Sequence, residues 1–283
     1  MPSKAVLITG CSSGIGHATA KLLCRQGWTV YATARRPETL FDLEQGGCRT
    51  LALDVTDEAS MTAAVDQVLA AEGAIGVLIN NAGYSQSGAV ESVGLDQVRR
   101  QFETNVFGLI RMCQLVLPGM RGQRWGRIVN LSSMGGRLTF PGAGAYHATK
   151  YAVEAISDAL RFEVRGFGVE VIIIEPGLIV TNFGDTAAGS VGEAEGPYAD
   201  FNRRVAERTA AVYHGPLAKL GGGPDTVAET IAGALNAEHP KPRYPVTASA
   251  RLMIGQRRLM PDRLWDIVMR TQFPTPRGSA GTS

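Results

Sequence analysis

No charge of one sign dominates this chain: 28 Lys and Arg stand against 26 Asp and Glu, a net +2 over 283 residues. A balance that even produces no field suited to a phosphate backbone, which excludes nucleic acid as the main partner. Cysteine is scarce, at four positions (Cys11, Cys24, Cys48, Cys113) with no short-range pairing. That pattern builds neither a disulfide framework nor a zinc site, and it fits a reducing, cytoplasmic setting. The four histidines (His17, His147, His214, His239) are dispersed, so no metal centre is expected. Long apolar runs are absent as well. The longest branched one, Val171 to Ile174, is flanked by Glu170 and Glu175 and is far too short to span a membrane. A strand pattern opens at Lys4, so no signal peptide is expected, and there is no internal repeat.

What is present is a 45% hydrophobic composition, enough for a substantial core in one large domain or two small ones. Apolar, β-rich segments recur at Ala5–Ile8, Trp28–Thr33, Thr50–Leu53, Ile75–Ile79, Arg127–Leu131 and Val169–Ile174. Helical patterns separate them at His17–Gln26, Asp57–Ala71, Leu95–Met120 and Ala148–Phe162. Alternation at these lengths predicts an α/β fold, a parallel, doubly wound, Rossmann-type sheet of about seven strands flanked by helices.

The first strand runs into Thr9-Gly10-Cys11-Ser12-Ser13-Gly14-Ile15-Gly16 and then a helix. Strand, glycine-rich turn and helix in that order let the backbone approach a phosphate at a helix N-terminus. The glycines are spaced differently from the general G-x-G-x-x-G fingerprint. After the second strand comes Ala34-Arg35-Arg36 with no acid. A carboxylate there would hold a ribose 2′-hydroxyl, whereas an Arg accommodates a 2′-phosphate. Arg35 therefore favours NADP(H), with NAD(H) still possible.

Tyr146 and Lys150 lie four residues apart on a predicted helix, hence on one face. A nearby cation stabilises a phenolate and brings the phenol toward a useful acid/base range. Ser133 follows the strand Arg127–Leu131, at the carboxyl end where open α/β sheets place ligands.

Taken together and in order, Thr9-Gly10, Gly14-Ile15-Gly16, Asp54, Asn80-Asn81-Ala82-Gly83, Asn105, Ser133, Tyr146, Lys150, Pro176-Gly177 and Thr181 resemble the short-chain dehydrogenase/reductase family over roughly residues 4–247. The segments Ile8–Gly16 and Val30–Thr33 look further like the branch holding type 1 17β-hydroxysteroid dehydrogenase and retinol dehydrogenases. The resemblance implies that Tyr146 exchanges a proton with the substrate oxygen. It implies that Lys150 holds the nicotinamide ribose and lowers the Tyr146 pKa, that Ser133 donates to the substrate oxygen, and that Asn105 supports a water relay to Lys150. Asp54 and Val55 would meet the adenine, Asn81, Ala82 and Gly83 the adenosine side, and Ile179 and Thr181, after Pro176 and Gly177, the nicotinamide amide. It further implies a homodimer or homotetramer paired through the Tyr146 helix and its neighbour.

The expected substrate is a small apolar carbonyl or alcohol. Its pocket would be bounded by Tyr84, by Gly135–Phe140 and by a lid over about 178–223 that includes Phe183, with a helical middle from Tyr198 to Tyr213. Asp225 is expected to cap a helix over Thr226–Ala237, and Arg243–Val246 to form an edge strand because of Pro245. An extension over about 248–270 carries five Arg and two Asp among apolar residues. Two short helices packed on the sheet edge are expected there, with contact to a partner subunit or a membrane surface as the alternative. A polar tail is expected over 271–283, closing a single domain of residues 1–270. Two other functions fit the same pattern: a 3-oxoacyl-carrier reductase and a non-catalytic NADP-binding sensor.

Overall fold

A computed structural model of the chain describes residues 2–180, 189–190, 196–214, 220–273 and 275–276. Seven parallel strands form one sheet in the order β3-β2-β1-β4-β5-β6-β7: β1 (Ala5–Ile8), β2 (Thr29–Ala34), β3 (Arg49–Ala52), β4 (Val77–Asn80), β5 (Gly126–Leu131), β6 (Val169–Pro176) and β7 (Arg243–Val246). β7 is an edge strand, where Pro245 leaves no donor facing a further neighbour.

The strands are apolar at consecutive positions because both sheet faces are covered. Side chains alternate between the faces. Val6, Ile8, Val77, Ile79, Val129 and Ile172 pack on one side against Ala20 and Leu23 of α1 (Gly14–Arg25) and Val227 and Ile231 of α8 (Pro224–Asn236). Leu7, Leu78, Ile128 and Val171 pack on the other against α3 (Glu58–Glu72), α5 (Gly108–Gly122) and α6 (Gly144–Val164). A short α2 (Phe41–Gln45) lies between β2 and β3. Asp57 caps α3, its carboxylate accepting from the Ala59 and Ser60 amides at 2.9 and 3.4 Å.

The long helix expected over Leu95–Met120 is one helical run with a wider turn inside it. α4 (Leu95–Phe102) passes into a π-helical turn at Glu103–Phe107 and then into α5. Such turns interrupt the regular ladder and re-aim a side chain; this one contains Asn105. Beyond β6, Val180 donates to the Gly222 carbonyl at 2.9 Å, and α7 (Ala199–His214) packs Phe201 and Val205 against Ala89 of the loop after β4. Thr181 and Phe183 lie outside the described residues.

Asp225 does not cap its helix. Gly223 is the N-cap, Pro224 takes the first helical position and Asp225 sits in the first turn. A proline needs no amide partner there, and its fixed φ suits the helix start. The C-terminal extension forms α9 (Ala248–Leu259) and α10 (Asp262–Gln272), so helix continues two residues into the stretch expected as tail. No helix among the described residues is long and apolar enough to cross a membrane.

Candidate active site

The strand order reverses direction between β1 and β4, and a crevice opens above their carboxyl ends, as such switch points dictate. It holds a cavity of about 940 Å³. The glycine turn after β1 forms its floor. Gly10 and Gly14 have φ of +73° and +62°, a left-handed region that favours glycine. Thr9 ties this turn to the loop after β4: its hydroxyl accepts from the amides of Asn81 and Ala82, both at 3.0 Å. The Asn81 side chain donates to the carbonyls of Thr9 and Gly10 at 2.9 and 2.8 Å. Asn81 thus shapes the turn from behind while also lining the cavity.

Gly16 sits beneath this staple. A Cβ there would lie 2.4 Å from both the Asn81 amide nitrogen and the Gly10 carbonyl oxygen. Gly16→Ala is therefore expected to push the turn out of shape, costing ~1–3 kcal/mol despite the better helix propensity of alanine. Thermal unfolding together with a nicotinamide-dinucleotide titration checks this, both expected to weaken.

The residues present fit a dinucleotide. The first turn of α1 contains no acid, and Ser13 makes no side-chain cap, so the amide end of the helix is open to an anion. Ser12, Ser13, Gly14 and Ile15 line the cavity beside exposed Arg35, which follows β2 directly. Asp54 and Val55 close the same end. The Asp54 carboxylate accepts from the Thr56 amide and hydroxyl at 2.9 and 2.8 Å.

At the other end stand Ser133, Tyr146 and Lys150, with Pro176, Gly177 and Ile179 across from them. Lys150 is buried. Its Nζ donates to the Leu131 carbonyl at 2.7 Å and lies 5.8 Å from the centre of the Tyr146 ring. Burial lowers its pKa to about 8, partly opposed by the charge of Glu154 one turn along α6. Ser133 Oγ accepts from the Gly135 amide at 3.0 Å. Gly177 is packed so closely that a Cβ would meet Ser249 Oγ at 2.4 Å, and Ser249 Oγ also accepts from the Leu178 amide at 3.1 Å.

Asn105 stands behind the cavity wall. Its amide donates to the Tyr84 carbonyl at 2.9 Å and to Thr149 Oγ1 at 3.0 Å, and its Oδ1 accepts from the Tyr84 amide at 3.1 Å. The π turn thus binds the loop after β4 to the helix carrying Tyr146. A Cβ on Gly83 would lie 3.1 Å from Asn105 Oδ1 and 3.8 Å from Lys150 Nζ, so a larger residue there would crowd the Asn105 amide.

Other groups at the site carried no signal in the linear sequence. His147 borders the cavity and is buried. The Phe140 amide donates to its Nε2 at 3.0 Å, and its Nδ1 meets the Gly135 carbonyl at 2.9 Å. That pair fixes a neutral ring with its proton on Nδ1, and burial lowers its pKa in the same sense. His147 pins both ends of the loop over Gly135–Phe140. Behind Lys150, Arg243 reaches Glu154 at 3.0 Å and Glu175 at 3.4 Å, while Arg137 lies 3.7 Å from each. Burial, then the charge of Glu154, raises the Glu175 pKa to about 7. These four residues come from four separate elements, and only the fold brings them together.

A glycine turn at a sheet switch point, facing a Tyr–Lys pair and a Ser across one cavity, defines a dinucleotide-dependent oxidoreductase architecture. The sequence profile of the family described as short chain dehydrogenase matches residues 4–189, and the chain belongs to the short-chain dehydrogenase/reductase family. It is 37% identical over 268 residues to the oxidoreductase YbbO of Escherichia coli K12, covering 94% of each chain. It is 42% identical over 201 residues to the 3-ketodihydrosphingosine reductase of Bacteroides thetaiotaomicron, covering 71% of this chain and 72% of that one. The NADPH-dependent 3-dehydrocapnine reductase of Ornithobacterium rhinotracheale is 34% identical over 271 residues, with 92% and 94% covered. A crystal structure of a short-chain dehydrogenase from Streptomyces avermitilis superposes with a TM-score of 0.80 at 36% identity, covering 95% and 98%.

Proposed function

We propose that this protein is an NADP(H)-dependent reductase of a ketone borne on a long apolar chain, working in reverse as a secondary-alcohol dehydrogenase, with Tyr146 as the general acid/base. The observation that carries this reading is the buried Lys150 ammonium held between the Leu131 carbonyl and the Tyr146 ring in a cavity shared with Ser133 and the glycine turn.

The nicotinamide supplies the hydride chemistry when bound. The chain's residues supply position and protons. Ser133 uses its oxygen on the Gly135 amide, which leaves its hydroxyl proton for the substrate oxygen. Tyr146 gives its proton to the alkoxide as it forms. Lys150 has two N–H bonds left after Leu131, and these suit ribose hydroxyls. Its charge favours the tyrosinate that remains. Asn105 holds the framework on which a water relay to Lys150 would run. Stabilising charge at the reacting oxygen is commonly the largest catalytic contribution.

The far part of the cavity is apolar, with Phe140, Val205, Leu252, Met253 and Phe273 among its walls. One relative is named as a 3-ketodihydrosphingosine reductase and another as an NADPH-dependent 3-dehydrocapnine reductase. A 3-oxoacyl-carrier reductase is the second reading. Trp265 and Met269 of α10 pack on Leu138 of the substrate loop, so the C-terminal extension is part of the substrate side, which weighs against that reading. Exposed Phe107 and Tyr151, at the π turn and on α6, support pairing of subunits through these helices.

The test is turnover of a long-chain 2-amino-3-ketone, a 3-oxoacyl thioester and simple ketones with NADPH and with NADH. The amino ketone with NADPH is expected to be fastest. Preference for the thioester, or for NADH, would sink the corresponding half of the proposal. Arg35→Asp is expected to lower kcat/KM for NADPH about a hundredfold, ~3 kcal/mol, through loss of a charge-assisted contact to the 2′-phosphate. The NADH value should rise, since an acid there suits a ribose hydroxyl.

A further inference from the structure

The inner faces of α9 and α10 are accounted for: Met253, Ile254, Trp265, Val268 and Met269 cluster around Leu138 and Phe140 of the substrate loop. Arg257 is accounted for too, stacked over the Trp265 ring at 5.6 Å and paired with Asp262. The outer faces are not. Leu259 of α9 is 86% exposed, Leu264 and Ile267 of α10 are 48% and 56% exposed, and Leu252 of α9, 51% exposed, stands at the cavity rim.

The two outer faces repeat one arrangement. At about 100° per residue, Arg251 and Arg258 fall side by side on α9, next to Leu252 and Leu259. On α10, Arg263 and Arg270 fall side by side next to Ile267 and Leu264. All four arginines are exposed. Residues 248–272 hold five Arg and two Asp, a net +3 in a chain whose total is +2. The remainder of the molecule is therefore net −1, and the positive charge is concentrated on this helix pair. The residues that follow, 274–283, add Arg277 and no acid.

We infer that the outer faces of α9 and α10 form a docking surface for an anionic lipid membrane, set at the mouth of the substrate cavity. Aliphatic side chains beside arginines on one helix face are the composition that lies in a headgroup layer. The charge pattern disfavours a second copy as the occupant: a two-fold contact would set each arginine face against its own like. The location gives the surface a use. Leu252 and Met253 of α9, together with Gln272 and Phe273 at the end of α10, line the cavity. An apolar substrate leaving a bilayer at this face would meet the cavity without crossing water.

Co-sedimentation with vesicles tests this on the full chain and involves no turnover, so its outcome is separate from that of the catalytic reading. Binding is expected to vesicles of about one-third phosphatidylglycerol in phosphatidylcholine, and to fall steeply by ~0.5 M NaCl. Arg258→Gln with Arg263→Gln should weaken it about thirtyfold, about fivefold for each arginine. Leu259→Asp with Ile267→Asp should weaken it as strongly, and thermal unfolding of both variants should match the parent. Equal binding to pure phosphatidylcholine, no binding to either vesicle, or unchanged binding by the variants would each overturn the inference. So would an oligomer, seen by sedimentation velocity, that Leu259→Asp dissociates, since this face would then be an interface between copies.

Discussion

Tyr146→Phe is expected to lower kcat about a thousandfold while leaving NADPH affinity within about twofold. A positioned general acid contributes roughly 10²–10⁴ in rate, and a thousandfold loss corresponds to ~4 kcal/mol of transition-state stabilisation. The phenylalanine ring keeps the contact with His147, whose centre lies 5.7 Å away, and keeps its place on α6 over Lys150. The transferable proton goes with the hydroxyl. Single-turnover rates and a fluorescence titration with NADPH separate the two effects. For the parent enzyme, kcat/KM for ketone reduction should fall as pH rises through about 8. There the Lys150 ammonium, whose pKa is lowered to about 8, loses the charge that favours the tyrosinate. A variant that retained most of its turnover would remove Tyr146 from the chemistry. A parent that bound NADPH tightly but reduced nothing across a broad panel would move the protein to the sensor reading.

The strand pattern was legible because a parallel sheet buried on both faces needs apolar residues at consecutive positions, and Ala5–Ile8 and Val171–Ile174 supply them. The edge position of Arg243–Val246 was legible from one proline. Helix ends were less so. Asp225 looks like a cap by residue type, but Pro224 beside it settles the start two residues earlier. In the candidate site, the proposed acid/base and cofactor residues stand out because their glycine, tyrosine and lysine spacings, each weak alone, occur together and in order. The supporting contacts do not stand out. Thr9 matters because β1 and β4 are neighbours, so that one hydroxyl can take the Asn81 and Ala82 amides. His147 looks idle beside Tyr146, yet it holds Gly135 and Phe140, twelve and seven residues away. The Arg137, Glu154, Glu175 and Arg243 cluster spans 106 positions between its ends. No local pattern encodes contacts of that kind, because they depend on strand order rather than on period.

Lys150→Met should act in opposite directions on activity and on stability. Turnover is expected to fall at least a thousandfold, since the cation that favours the tyrosinate and reaches the ribose is gone. The protein itself should become more stable. Lys150 is 7% exposed, and burial takes its pKa from 10.5 in the unfolded chain to about 8 in the fold. At pH 7 it stays charged in both states, so folding carries the desolvation cost of that charge, roughly 3 kcal/mol at about 1.36 kcal/mol per unit. The sign of the pH dependence follows from proton counts. Between pH 8 and 10.5 the unfolded chain holds a proton that the native state has released, so stability rises with pH across that window and is flat in this group below it. Methionine fills the same channel without charge. It forfeits the bond to the Leu131 carbonyl, worth ~1 kcal/mol, for a net gain of about 1–2 kcal/mol. At ~2–4 °C per kcal/mol for a chain of this size, Tm at pH 7 should rise by several degrees. Calorimetry of both proteins without cofactor, at pH 7 and at pH 10, gives the comparison. The advantage of the variant should shrink at pH 10, where the parent has shed its buried charge. A Tm that falls at pH 7, or a gap that does not close with pH, would mean that the ammonium stabilises the empty fold and that its burial carries no such cost. If the gap opens and closes as expected, the site holds its lysine against the stability of the fold, which is the mark of a residue kept for its chemistry.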